Sequence, residues 1–226
     1  MPRIAKAYIA LVMASGAAVL LIATVSWSSN SIREFTIFLG LAALASTLKV
    51  RIPGLDGTMS PNFIFLLIGM TCFSFSEVVA CAFLAAIVQS VWRPKQKLRI
   101  VQIGFSTACL VTCSAAAFLT SHMLGRAGNV TSPAALVIAA GSLYLALNTV
   151  LVSTVISLAE SRSLKQVWQL CHEWIFPNFL GGIVLAGVVS GPFTRFSVWK
   201  EFLLLLPTIV IAYSYLVLRT RQRLTN

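Results

Sequence analysis

The chain of 226 residues is 58 % hydrophobic and only 10 % charged, a balance outside that of soluble globular domains. Its seventeen Lys and Arg against six Asp and Glu give a formal net charge of +11. Because these charges lie between apolar runs, they read as topology signals and contacts to anionic lipid, not as a nucleic-acid face.

A helix needs ~20 apolar residues to cross a bilayer. Long spans are expected at 7–27, 100–123 and 134–158, and shorter ones at 35–48, 62–75, 77–92, 175–191 and 202–218. The expected fold is therefore all-α: one integral membrane domain over 1–226, a polytopic transmembrane helix bundle of about eight spans. Arg3 and Lys6 precede the first span as they would in a signal peptide, but no A-x-A-like cleavage site follows, so that span is expected to stay. Residues 62–92 are too long for one untilted helix, and Phe73-Ser74-Phe75-Ser76-Glu77 interrupts them, which predicts a tight helical hairpin. The alternative is a pair of re-entrant arms, leaving six full spans.

With the N-terminus inside, thirteen cations fall inside: Arg3, Lys6, Lys49, Arg51, Arg93, Lys95, Lys97, Arg99, Arg162, Lys165, Arg219, Arg221 and Arg223. Only Arg33, Arg126, Arg195 and Lys200 fall outside. That asymmetry favours cytoplasmic N- and C-termini, and it is the same for either reading of 62–92. Trp27 and Trp199 then mark the outer boundary, and Trp92, Trp168 and Trp174 the inner one.

The loop Arg51 to Pro61 carries the Pro and Gly punctuation of an ordered turn, ending in Ser60 as an expected N-cap and Pro61 as first helical residue. Between 160 and 174, Leu164, Val167, Trp168 and Cys171 recur at helical spacing opposite Arg162, Lys165 and Gln169, predicting an amphipathic helix on the inner surface. Small residues at Gly182 and Ala186, Gly187 and Gly191, Ala82 and Ala86, and Ala135 and Ala139 mark close helix contacts, within the chain or in a homodimer.

Catalytic constellations are absent from the sequence. His172-Glu173 lacks the second histidine of H-E-x-x-H, and Ser190-Gly191 has no histidine in the span that follows. No Gly-rich loop has phosphate-binding spacing. Five cysteines show no C-x-x-C and imply no disulfide framework. Cys109 and Cys113, one helical turn apart, offer two soft ligands that His122 would have to supplement, which is fewer than a metal site requires. No enzyme activity, metal or cofactor is expected.

Two polar sets remain. Asn62, Gln89, Gln102, Asn148 and Asn178 come from five helices and are expected near the inner boundary, Asn148 somewhat deeper. They form either interhelical locks or an inner polar layer that binds ligand or transmits a signal. Glu77, His122, Arg126, Tyr144 and Arg195 are expected to line an outward-facing pocket, or to be simply solvated.

The stretch Leu48-Lys-Val-Arg-Ile-Pro-Gly-Leu-Asp-Gly-Thr-Met-Ser-Pro-Asn-Phe-Ile-Phe65, then Glu77 and Val88-Gln-Ser-Val-Trp-Arg93, resembles a known type of region. It is similar to the N-terminal multi-helix membrane domains that precede HD-GYP or GGDEF output domains in bacterial signalling proteins. The resemblance runs from about residue 35 to the final basic helix, and implies a membrane sensor whose last helix leads to a cytoplasmic output unit. After Tyr215-Leu-Val-Leu-Arg-Thr-Arg-Gln-Arg223 neither motif follows, so the output is expected from a partner. The outline also resembles substrate-binding membrane subunits of energy-coupling-factor vitamin transporters.

These readings converge on a non-catalytic sensor or ligand-binding module of the bacterial inner membrane. Its expected partners are membrane lipids, a cytoplasmic or membrane protein and, as an option, a second copy of itself, with no nucleic acid. A small-molecule transporter subunit and an accessory subunit of a larger membrane complex are the alternatives.

Overall fold

The structure, a computed structural model, describes residues 2–29, 31–48, 50–51, 58–92, 99–128, 132–160 and 163–190. The expected span at 202–218, and with it Arg195, Trp199 and Lys200, lies outside these residues. The described chain is helical apart from one short ladder. In order, it forms α1 (Arg3–Val25), α2 (Ile32–Thr47), β1 (Val50–Arg51), β2 (Thr58–Met59), α3 (Asn62–Cys72), α4 (Phe75–Val91), α5 (Ile100–Arg126), α6 (Pro133–Glu160) and α7 (Leu164–Ser190).

Among the described residues, three helices are long and apolar enough to cross a membrane: α1, α5 and α6. At 1.5 Å per residue α1 is about 34 Å long, enough for the ~30 Å hydrocarbon layer. Surface chemistry agrees with that length. On α1, Val25 is 81 %, Ile4 70 % and Leu11 69 % exposed, whereas Ser46, Asn62, Glu77, Ser114 and Ser153 are buried. Apolar groups outside and polar groups inside reverse the order water imposes and suit a protein solvated by lipid.

The centre is α3. Nine of its eleven residues, Asn62 through Met70, are buried, because α2, α4, α6 and α7 surround it. A helix apolar on every face has to be enclosed, and the run Phe63-Ile-Phe-Leu-Leu-Ile68 is of that kind. Around it, α4, α5, α6 and α7 pack in sequence, each on the next, with α2 against α4 and α1 across α5. Aromatic rings fasten α2 to α3: Phe38 meets Phe73 at 4.7 Å and Phe65 at 5.8 Å between centroids. On the other flank Phe63 stacks on Phe179 at 4.1 Å. Gly182 makes room for that stack, since a Cβ there would collide with the Phe63 ring.

Ser74 separates the two hairpin arms at the expected place. Its hydroxyl accepts the Glu77 amide while the Glu77 carboxylate accepts the Ser74 amide, a reciprocal cap that ends α3 and starts α4.

Two expectations need correction. Residues 160–174 do not form a separate surface helix: α6 runs to Glu160, and α7 then continues unbroken from Leu164 through Pro177 to Ser190. Proline costs one backbone hydrogen bond inside a helix, which this 27-residue helix accommodates. Its first turns still show the amphipathic pattern, with Val167 buried and Leu164 and Trp168 exposed. At the start of α3, Pro61 takes the N-cap position expected of Ser60. Pro61 has no amide to satisfy there, and the Ser60 hydroxyl is directed to α4 instead.

Candidate functional site

The polar side chains fall into three groups at different depths. The first joins the α3–α4 tip to the connection after α1. Glu77, although ionisable, is 1 % exposed. One carboxylate oxygen accepts from the Ser29 hydroxyl at 2.6 Å and the other from the Ser74 amide at 2.9 Å. Ser74 Oγ donates to the Ser28 carbonyl at 2.6 Å and Ser76 Oγ to that of Ser26 at 3.1 Å. The carboxylate also sits in the first turn of α4, where the helix dipole favours negative charge.

The second group lies where α3 begins. The Ser60 hydroxyl donates to Gln89 Oε1 at 3.2 Å, and Asn62 Nδ2 donates to the same oxygen at 3.3 Å. The 11-residue α3, which Asn62 begins, is about 16 Å long, and Gln89 lies about 21 Å from Phe75, in the last turn of α4. Helix α3 is thus about half as long as α1 and begins beside the far end of α4. The β1–β2 ladder, pairing Val50 with Met59 and Arg51 with Thr58, leads into it.

The third group spans α5 and α6. Cys109 donates its S–H to Asn148 Oδ1 at 3.6 Å, and buried Tyr144 lies one turn from Asn148 on the same face. Alongside, Ser15 of α1 meets Thr112 at 3.3 Å, and the Tyr8 hydroxyl donates to the Leu151 carbonyl at 3.3 Å.

The four described amides fall into three separate hydrogen-bonded groups. Asn62 and Gln89 meet, Asn148 pairs with Cys109, and Gln102 accepts the Arg99 amide at 2.9 Å at the far end of α5. The Asn178 side chain lies outside the described residues. Of the expected outward set, Glu77, His122, Arg126 and Tyr144 are likewise dispersed, and Arg195 lies outside the described residues. Glu77 is enclosed by its serines, and Tyr144 is deep between α6 and α7, 6.0 Å from Phe179. His122 is exposed, stacked on Phe118 at 4.1 Å, and Arg126 is exposed at the end of α5. Glu77 and His122 do share one end of the bundle, since Phe75 meets Phe118 edge-on at 5.5 Å.

Ser60 joins the Asn62 and Gln89 pair without a sequence signal of its own, because its position before Pro61 imitates a helix cap. Ser29 and Ser76 likewise have no local signal, their roles depending on what the opposing connection brings to them, whereas Ser74-x-x-Glu77 is a capping-box pattern readable in the sequence.

Leucine at Asn62 and at Gln89, singly and together, measures the central bond. Interhelical polar pairs in membrane proteins couple by about 0.6 kcal/mol on average and at most about 1.7 kcal/mol. We expect a coupling in that range from the double-mutant cycle read by thermal unfolding in detergent; strict additivity would mean the contact contributes nothing.

No known protein family, curated protein or solved structure matches this chain.

Proposed function

We propose that the protein is a non-catalytic ligand-binding and sensory module of the bacterial cytoplasmic membrane. In this reading it crosses the membrane about eight times with both termini inside, and it signals to a cytoplasmic partner. The observation that supports it best is α3: a half-length helix, enclosed by the helices around it, begins at a cluster of Ser60, Asn62 and Gln89. Helices that stop short of a full span expose polar backbone and side chains inside the protein, an arrangement suited to a polar ligand and disfavoured without one. With the basic ends inside, the Ser74 tip faces outward and the N-terminal end of α3 faces the cytoplasmic half. Ligand bound there would bear on α2, α4, α6 and α7 together.

The half-length helix also favours a second reading, a substrate-binding subunit of a small-molecule transporter. An accessory role in a larger complex draws less support, because the Ala82 and Gly182 faces it would use are filled by the chain's own helices. Mild affinity purification from the native membrane, with mass spectrometry of retained proteins and small molecules, separates these readings. A kinase or cyclic-nucleotide enzyme is the expected companion, with a retained small molecule that is lost in Asn62→Leu. Recovery of an ATPase pair would replace the sensor reading with transport.

A further inference from the structure

The α3–α4 tip gathers oxygen atoms from two stretches of chain 46–48 residues apart. Glu77 supplies two carboxylate oxygens, Ser29 and Ser74 their hydroxyls, and Ser28 its carbonyl. Ser29 Oγ lies 2.6 Å from Glu77 Oε1, while Ser74 Oγ lies 2.6 Å from the Ser28 carbonyl oxygen and 3.3 Å from the Glu77 amide. A neighbouring bond, Ser76 to the Ser26 carbonyl at 3.1 Å, holds the connection over the tip. After these bonds each of the five oxygens keeps at least one lone pair.

Both Glu77 oxygens accept hydrogen bonds, one from a hydroxyl and one from an amide, which is the pattern of an ionised carboxylate. The residue is nevertheless buried. Among the described residues no Lys, Arg or His is hydrogen-bonded to it. Neutral donors and the α4 dipole recover part of the cost of burying such a group, but they bring no full positive charge to balance it.

We infer that Glu77, Ser29, Ser74 and Ser28 bind a small monovalent cation, Na+, at the tip of the α3–α4 hairpin. One carboxylate matches one positive charge, so the loaded site is neutral. Ca2+ takes about six to eight oxygens and gains affinity with the number of charged ligands. Among the described residues no group of three His, Cys, Asp or Glu exists to supply them. Oxygens only 2.6 Å apart suit Na+ better than K+, whose larger radius needs wider separations. Ser28 and Ser29 are exposed, so the ion enters from solvent at this end and water completes its shell. Bound there, Na+ ties the α1–α2 connection to the start of α4. The site is separate from Ser60, Asn62 and Gln89, which lie by the other end of α4, and does not depend on what that cluster binds.

The test follows thermal unfolding of the full chain in detergent, at fixed pH and ionic strength, as choline chloride is replaced by sodium chloride. A saturable rise of about 5–10 °C is expected at a hundred times the dissociation constant, with potassium chloride giving much less. Glu77→Gln, which keeps an acceptor for the cap, should abolish the Na+ response, and Ser29→Ala should move half-saturation to higher concentration. Retention of radioactive sodium by the unsubstituted chain, displaced by unlabelled Na+ and not by K+, reads the site without relying on any variant to fold. Equal responses to Na+, K+ and choline, an undiminished response in Glu77→Gln, or no retained sodium would overturn the inference.

Discussion

Gly16→Val is expected to remove α1 from the bundle, or to leave a protein that unfolds far below the unsubstituted chain. A Cβ at Gly16 would stand 2.6 Å from both the Cα and the Cβ of Ala108 on α5. The Cα is backbone, so no change of rotamer relieves the contact and the helices must separate. Overpacking a well-filled site costs about 1–3 kcal/mol, and an immovable obstacle puts this substitution at or above the upper end. Since α1 packs chiefly on α5, its Tyr8 to Leu151 and Ser15 to Thr112 bonds should fail with it. Thermal unfolding in detergent checks this, with Ala17→Val as control: Ala17 is exposed and should accept valine without a measurable shift. Equal behaviour of the two variants would show that α1 and α5 are not in close contact.

The second large effect belongs to Glu77→Ala. The substitution removes the reciprocal half of the α4 cap, leaving the Ser29 hydroxyl and the Ser74 amide without their acceptor while the residue-77 amide still donates to the Ser74 hydroxyl. Ser29 is exposed and Ser74 half-buried, so water replaces part of what is lost, and losing the reciprocal half of a helix cap costs about 1 kcal/mol. A total of about 1–2 kcal/mol follows, lowering the unfolding temperature and loosening the α1–α2 connection. Glu77→Gln, which keeps one oxygen acceptor, should fall between the two. His122→Ala should have a much smaller effect, because its exposed ring has a single stacking contact with Phe118. If Glu77 served an outer ligand pocket instead, Glu77→Ala would abolish a ligand response while leaving stability intact. Comparing Glu77→Ala with His122→Ala under heat and under ligand challenge separates these roles.

Glu77 also shows why function is harder to read than fold. At the tip of an expected hairpin, a lone acid reads as solvated or as ligand-facing. The structure makes it the buried junction of two connections, because Ser26, Ser28 and Ser29, about 50 residues earlier, close over it. Nothing local to residue 77 announces those partners. Tyr144 is similar: it reads as a pocket residue, yet it is buried, 6.0 Å from the Phe179 ring of α7.

Hydropathy is a property of neighbours along the chain, so the helices were legible. The expected 35–48, 62–75, 77–92, 100–123 and 134–158 correspond to α2, α3, α4, α5 and α6, and the interruption before Glu77 to the reciprocal Ser74 cap. The all-helical character and the three membrane-length helices follow from the residues themselves. What only the tertiary structure decided is which faces meet: that α3 is enclosed, that Asn62 finds Gln89, and that Cys109 finds Asn148. Lipid supplies no hydrophobic force to distinguish one apolar face from another. Close contacts at Gly16 and Gly182 and a few hydrogen bonds therefore determine the arrangement, and these depend on residues far apart in the sequence.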